Sequence, residues 1–209
     1  MKKIILAATL LSFTIAVHAQ DEEKDSKKSL FKKENLFTGG SLTASFYSGG
    51  TVLGISPTFG YSINKIIDAG VIANFIYTGE KDYVGNKYRQ YVYGPGAFAR
   101  IYPIKMLFVQ GTFEHNFVSR TYKYAYNGPV EKDKLEVNSY LVGGGYCNGR
   151  EAVGDLFFYF SIMVDLSRNI NSPYIGQNQD GSLRTEPIFR TGIQVPLFQE
   201  GSSRRHRRD

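Results

Sequence analysis

The chain has 209 residues, 42% hydrophobic and 14% aromatic, with 22 glycines, no tryptophan and one cysteine, a composition suited to a single folded domain. A mean hydropathy of −0.26 argues against a bundle of membrane helices. The formal net charge of +6 sits largely at the two ends, in Lys2 and Lys3 and in Arg204, Arg205, Arg207 and Arg208. The near-neutral body between them excludes a nucleic-acid patch.

Met1, Lys2 and Lys3 form a basic start, residues 4–17 are apolar, and Val17 and Ala19 provide the small positions before Gln20. This pattern is that of a cleaved secretory signal peptide over residues 1–19, too short to cross a bilayer as a helix. No cysteine lies near the cut, so lipoprotein processing is not expected. Residues 20–35 are mixed-charge with few apolar positions and are expected to be a solvated, charged periplasmic leader.

From residue 36 the pattern switches to alternation, which is the mark of strands. In the first segment Leu42, Ala44 and Phe46 share one face, with Gly39, Ser41, Thr43 and Ser45 on the other. A turn at Ser48, Gly49 and Gly50 closes a hairpin. Leu53, Ile55, Phe59 and Tyr61 then alternate with Gly54, Ser56, Thr58, Gly60 and Ser62. The second face carries Gly, Ser and Thr rather than the Lys, Glu and Asp of a water-facing sheet. Small polar residues suit a narrow enclosed lumen, and a continuous apolar face suits lipid.

Six further segments repeat this pattern, at about 67–78, 89–102, 106–120, 135–146, 156–167 and 185–198. The 135–146 segment is ambiguous, because Gly143, Gly144 and Gly145 blur its faces. The segments suit the roughly 9–11 residues that cross a bilayer at a tilt. Connections at 63–65, 103–105 and 148–154 are short, whereas those at 79–88, 122–134 and 169–184 are long and polar. Short–long alternation predicts an all-β fold, an eight-stranded antiparallel up-and-down transmembrane β-barrel over residues 36–198. Residues 199–209 follow as a basic C-terminal tail. Pro57, Pro95 and Pro196 cannot donate to the ladder and are expected at bulges or strand ends.

The stretch Ile55, Ser56, Pro57, Thr58, Phe59, Gly60, Tyr61, followed by Ile67, Asp68, Ala69 and Gly70, resembles the PxxGY hairpin of small Bacteroidetes-type outer-membrane β-barrel proteins. Residues 94–102 with Leu107, Phe108 and Val109 are similar to the next hairpin of that family. The resemblance covers most of residues 39–198. It implies a barrel like the transmembrane domains of OmpA and OmpX, with no common enzymatic activity. Family members usually end on the final aromatic, whereas here residues 199–209 follow Phe198.

Five charged residues fall on the inward face: Asp68, Arg100, Glu114, Asp165 and Arg190. Asp68 and Arg100 fall at similar heights on neighbouring strands, and the other three nearer the middle. Isolated charges in so narrow an enclosure are costly unless paired, so the five are expected to form a lumenal polar network that shuts the barrel. Catalysis is not expected. His115 is the barrel's lone histidine and points outward between Phe113 and Phe117, but the His-x-Ser spacing of barrel lipid deacylases is absent. A lone His and a distant Cys147 make no metal-ligand spacing, and no cofactor is implied.

The expected role is therefore structural or surface-interacting, at the outer membrane. The partners expected are outer-membrane lipid and lipopolysaccharide, the barrel-insertion machinery acting on the last strand, and surface ligands of the long loops. The barrel is expected to be a monomer. Tyr83, Tyr122, Tyr124, Tyr126 and Tyr174 are candidate contact residues in those loops. A lipid-modifying enzyme and a soluble periplasmic carrier of lipocalin type, with its apolar faces turned inward, are the alternatives.

Overall fold

The computed structural model describes residues 31–198 apart from 48, 127, 149, 151–154 and 179. The expected signal peptide, most of the leader and the basic tail lie outside the described residues. Ten strands follow in chain order: β1 (Leu36–Tyr47), β2 (Gly50–Ser62), β3 (Ile67–Lys81), β4 (Lys87–Ile104), β5 (Leu107–Lys123), β6 (Val130–Cys147), β7 (Phe157–Asp165), β8 (Ile175–Gln177), β9 (Leu183–Thr185) and β10 (Ile188–Pro196). Eight of them close an antiparallel barrel in the order β1-β10-β7-β6-β5-β4-β3-β2, while β8 and β9 form a separate small hairpin. Closure leaves no free sheet edge where the ladders are complete.

The alternation read from the sequence sets the two surfaces. Outward positions are apolar and exposed, with Leu42 at 62%, Phe75 at 50% and Phe158 at 57% relative accessibility. Rings pair across neighbouring strands on this face, Tyr77 with Tyr91 at 5.2 Å, Tyr93 with Phe117 at 5.5 Å and Phe113 with Tyr140 at 5.5 Å. Cross-strand aromatic pairs of this kind stabilise a sheet face. Inward positions are buried, but they are less uniformly polar than the first hairpin suggests. Phe37, Ile72, Phe98, Val92 and Val118 also point inward and are buried. A barrel of eight strands has room inside for side chains and little else.

Strand lengths depart from the expected uniform set. β4, β5 and β6 have 18, 17 and 18 residues, whereas β7 and β10 have 9 each. About half of each expected loop, 79–88 and 122–134, is therefore strand, with register running up to Lys81↔Lys87 and Lys123↔Val130. The turn expected at 103–105 shifts likewise, because β4 continues to Ile104.

The prolines also divide. Register runs unshifted past Pro57 toward β3 and past Pro95 toward β5, where two consecutive pairs drop out of each ladder, and Pro196 ends β10. The recorded irregularity lies instead between Ile101 and Ile104, around Pro103. A missing N–H removes one hydrogen bond and need not displace the strand. The glycine run in β6 has a packing cause. A Cβ on Gly143 would strike the carbonyl oxygen of Ile162, and one on Gly145 would strike that of Phe160 and the Phe108 ring. Gly49, at a φ of 84°, takes the left-handed conformation that turns β1 into β2.

Candidate functional site

At the end carrying the short turns, Asp68 is the hub. Its carboxylate accepts both Arg150 terminal nitrogens, Nη1 at 2.8 Å and Nη2 at 2.9 Å, and the Tyr102 hydroxyl at 3.0 Å. Arg100 faces Asp68 in the β3–β4 register but is held otherwise. It donates to Gln110 at 2.9 Å, to the Tyr102 hydroxyl at 3.2 Å and to Gln194 at 3.3 Å. Its guanidinium lies 4.6 Å from the ring centroids of both Phe108 and Tyr159. Arg150 sits 3.8 Å over the Tyr102 ring. Both cations thus combine hydrogen bonds with aromatic faces, which lowers the cost of enclosing them.

Mid-barrel, Glu114 is fully buried and accepts from Arg190 at 2.9 Å, Tyr174 at 2.6 Å, Asn74 at 3.1 Å and Asn116 at 3.5 Å. Asn74 also donates to the Tyr174 hydroxyl at 2.7 Å and accepts from Ser56 at 2.9 Å. Asp165 accepts the Ser172 hydroxyl at 2.5 Å and the backbone N–H groups of Tyr140 and Ser167. Ser172 and Ser139 hydroxyls meet at 3.1 Å, and Asn116 donates to Ser139 at 3.3 Å, which joins the Asp165 and Glu114 groups.

All five inward charges of the sequence reading lie inside the barrel, and the structure pairs Glu114 with Arg190. It does not pair Asp68 with Arg100, and Asp165 has no arginine among its recorded partners. Two members were missed. Arg150 lies between β6 and β7 and Tyr174 in the loop after β7, where no period points a side chain inward. The adjacent apolar pair Tyr174 and Ile175 in a mostly polar loop was the available signal for Tyr174. Instead of a surface contact residue it is 6% exposed and caps the interior, packed with Ile76, Val92, Val118, Val137, Leu141, Met163 and Ile188.

Between this apolar layer and the rim lies a cavity of about 350 Å³. Thr43, Ala44 and Ser45 of β1 line one side, and Ile188 and Phe189 of β10 the other, with loop residues Ser172 to Gly176 across it. Thr78, Glu80, Tyr88, Gln90 and Arg120 supply polar groups. Arg120 is held by Gln90 at 3.1 Å and by the Asn171 carbonyl at 3.0 Å.

Beyond the barrel wall the turns are ordered by carboxylates. Asp180 takes the Ser182 hydroxyl at 2.6 Å and its N–H at 2.9 Å, and these bonds hold its pKa below the usual value. The Glu131 carboxylate beside Tyr124 pushes that phenol up.

His115 stands edge-on to Phe117 at 5.0 Å, with Nδ1 2.7 Å from the Asn138 side-chain oxygen and Nε2 3.8 Å from Glu136. Among the described residues no serine hydroxyl is recorded against it. Cys147 is a buried free thiol whose Sγ lies 3.5 Å from the Lys105 carbonyl. Among the described residues no group of three or more His, Cys, Asp or Glu is placed to hold a metal ion.

No protein-family profile matches the chain, and no curated protein matches it in sequence. Solved structures similar to it are outer-membrane barrels. Neisserial surface protein A is 12% identical with a TM-score of 0.44, covering 78% of this chain and 97% of its own. Ail, the attachment invasion locus protein of Yersinia pestis, is 13% identical at 0.43, covering 78% and 96%. The N-terminal β-barrel domain of Pseudomonas aeruginosa OprF is 12% identical at 0.40, covering 78% and 98%.

Proposed function

We propose that this chain is an outer-membrane β-barrel with a shut lumen, acting as a structural or surface-interaction protein. The outward face carries this reading. A wall of exposed Leu, Ile, Val, Phe and Tyr rings the barrel, while nearly every inward charge is buried and hydrogen-bonded. Water would penalise that wall, and a bilayer would not. A soluble carrier needs the apolar faces turned inward around a ligand, the opposite arrangement. With the interior occupied by side chains, contact with other molecules falls to the rim. There Tyr83 and Tyr126 are almost fully exposed, beside the charged upper ends of β4, β5 and β6.

The partners proposed are bilayer lipid and lipopolysaccharide at the wall, the insertion machinery at β10, and surface ligands at the rim, with the barrel a monomer. The test is membrane separation followed by gel mobility of boiled and unboiled protein. Recovery with the outer membrane and a heat-dependent shift support the reading. A soluble periplasmic protein with no shift overturns it.

A further inference from the structure

The barrel wall is complete near the turns but not near the rim. The β1–β10 ladder runs from Phe37↔Pro196 to Leu42↔Thr191 and stops there. Both strands go on, β1 to Tyr47 and β10 back to Ile188. The same register would set Thr43 against Arg190 and Ala44 against Phe189, yet those pairs are not formed. Each strand keeps its other neighbour, since β1 pairs β2 as far as Tyr47↔Gly50 and β10 pairs β7 at Ile188↔Met163. The result is a seam in the wall, not a frayed end.

The 350 Å³ cavity lies at this seam, with Ala44 and Phe189 on its two sides. Both residues are exposed on the lipid-facing surface. A second hollow, on the outer face, is lined by Leu42, Leu53, Ile55, Phe75 and tyrosines, and shares Thr43, Ala44 and Ile76 with the cavity. Interior cavity and outer apolar hollow therefore meet at the same residues.

We propose that the seam between β1 and β10 is a lateral portal through which a single-chain lipid with a zwitterionic head enters the rim cavity from the surrounding leaflet. This rests on the membrane reading above. The lining is divided to suit such a guest. Val52, Ile76 and Ile188 form an apolar floor for the chain, while Arg120, Glu80 and Glu186 place charges of both signs toward the rim. A cavity of this volume falls within the roughly 300–1,000 Å³ of small-ligand sites.

The test uses the full chain in phosphatidylcholine vesicles with lysophosphatidylethanolamine carrying a diazirine at the end of its acyl chain. After illumination, adducts are mapped by mass spectrometry. Adducts on Val52, Ile76 or Ile188, together with those on outward Leu53 and Phe75, are expected. Ala44→Trp, which narrows the seam, should lower the interior adducts by about tenfold, one decade in occupancy, and leave the outward ones unchanged. Phe189→Ala, which widens it, should raise them, and gives a second arm should the tryptophan variant not fold.

Outward adducts alone overturn the portal and leave the membrane reading standing. Interior adducts indifferent to both variants show entry from the rim and overturn the lateral route. Absence of outward adducts and of a heat shift defeats the membrane reading itself.

Discussion

The two ends of the barrel are closed by different means. Near the turns every barrel strand is paired on both sides, and the interior is packed with Phe37, Phe98, Phe108, Phe157 and Tyr159 around Arg100, Asp68 and Arg150. Near the rim β7 and β10 are 9 residues long against 18 for β4 and β6, so the wall falls short at these two strands. There the loop after β7 folds inward, and Ser172 and Tyr174 supply contacts that strand side chains supply below. Strands close one end and a loop the other. A loop ordered by a few hydrogen bonds opens at lower cost than a ladder.

That contrast can be broken from its centre outward. Arg190→Met leaves Glu114 buried without its cation and should cost about 3–5 kcal/mol, measured by urea unfolding in vesicles. The double variant Arg190→Met with Glu114→Leu should recover most of that loss. Equal stability of the single variant and the native protein would remove the pair from the account.

Tyr174→Phe deletes a hydroxyl bonded to both Glu114 and Asn74 and should cost about 1–3 kcal/mol. It should also speed proteolysis within residues 169–184 while leaving the turn end protected in hydrogen exchange. Loosening of both ends together would mean that the halves are not separate.

Gly145→Ala, which forces a Cβ against the Phe160 carbonyl and the Phe108 ring, should cost about 1–3 kcal/mol by overpacking. Its effect should fall at the turn end and spare the loop.

The smallest effect belongs to the β8–β9 turn. Asp180 has a lowered folded pKa, so its stabilisation is present above the unfolded value and is lost as pH falls through the folded one. The Ser182 amide shift, followed by NMR in acid titration, should report that loss without change at Tyr159.

Much of the wall was legible, because Leu53, Ile55 and Phe59 alternate with Gly54, Ser56 and Gly60, which parts an apolar face from a face of small residues. The interior charges were legible as inward for the same reason. Their partners were not. Asp68 lies opposite Arg100, yet Arg150 reaches it from between β6 and β7, and alternation carries no information about where a side chain outside the strands points. The upper halves of β3 to β6 were hidden by a related cause. There both sheet faces are exposed, so residues such as Glu131, Lys132, Asp133 and Lys134 form strand without an apolar stripe. Tyr174 was read as surface because its neighbours Asn169, Asn171 and Gln177 are polar.

We propose a shut interior, closed by strands below and by the loop above. Single-channel recording of the purified full chain in a planar bilayer tests it most directly. A silent bilayer in the presence of barrel that shows the heat-dependent gel shift is the predicted result. Steady, large conductance from the native protein would contradict it.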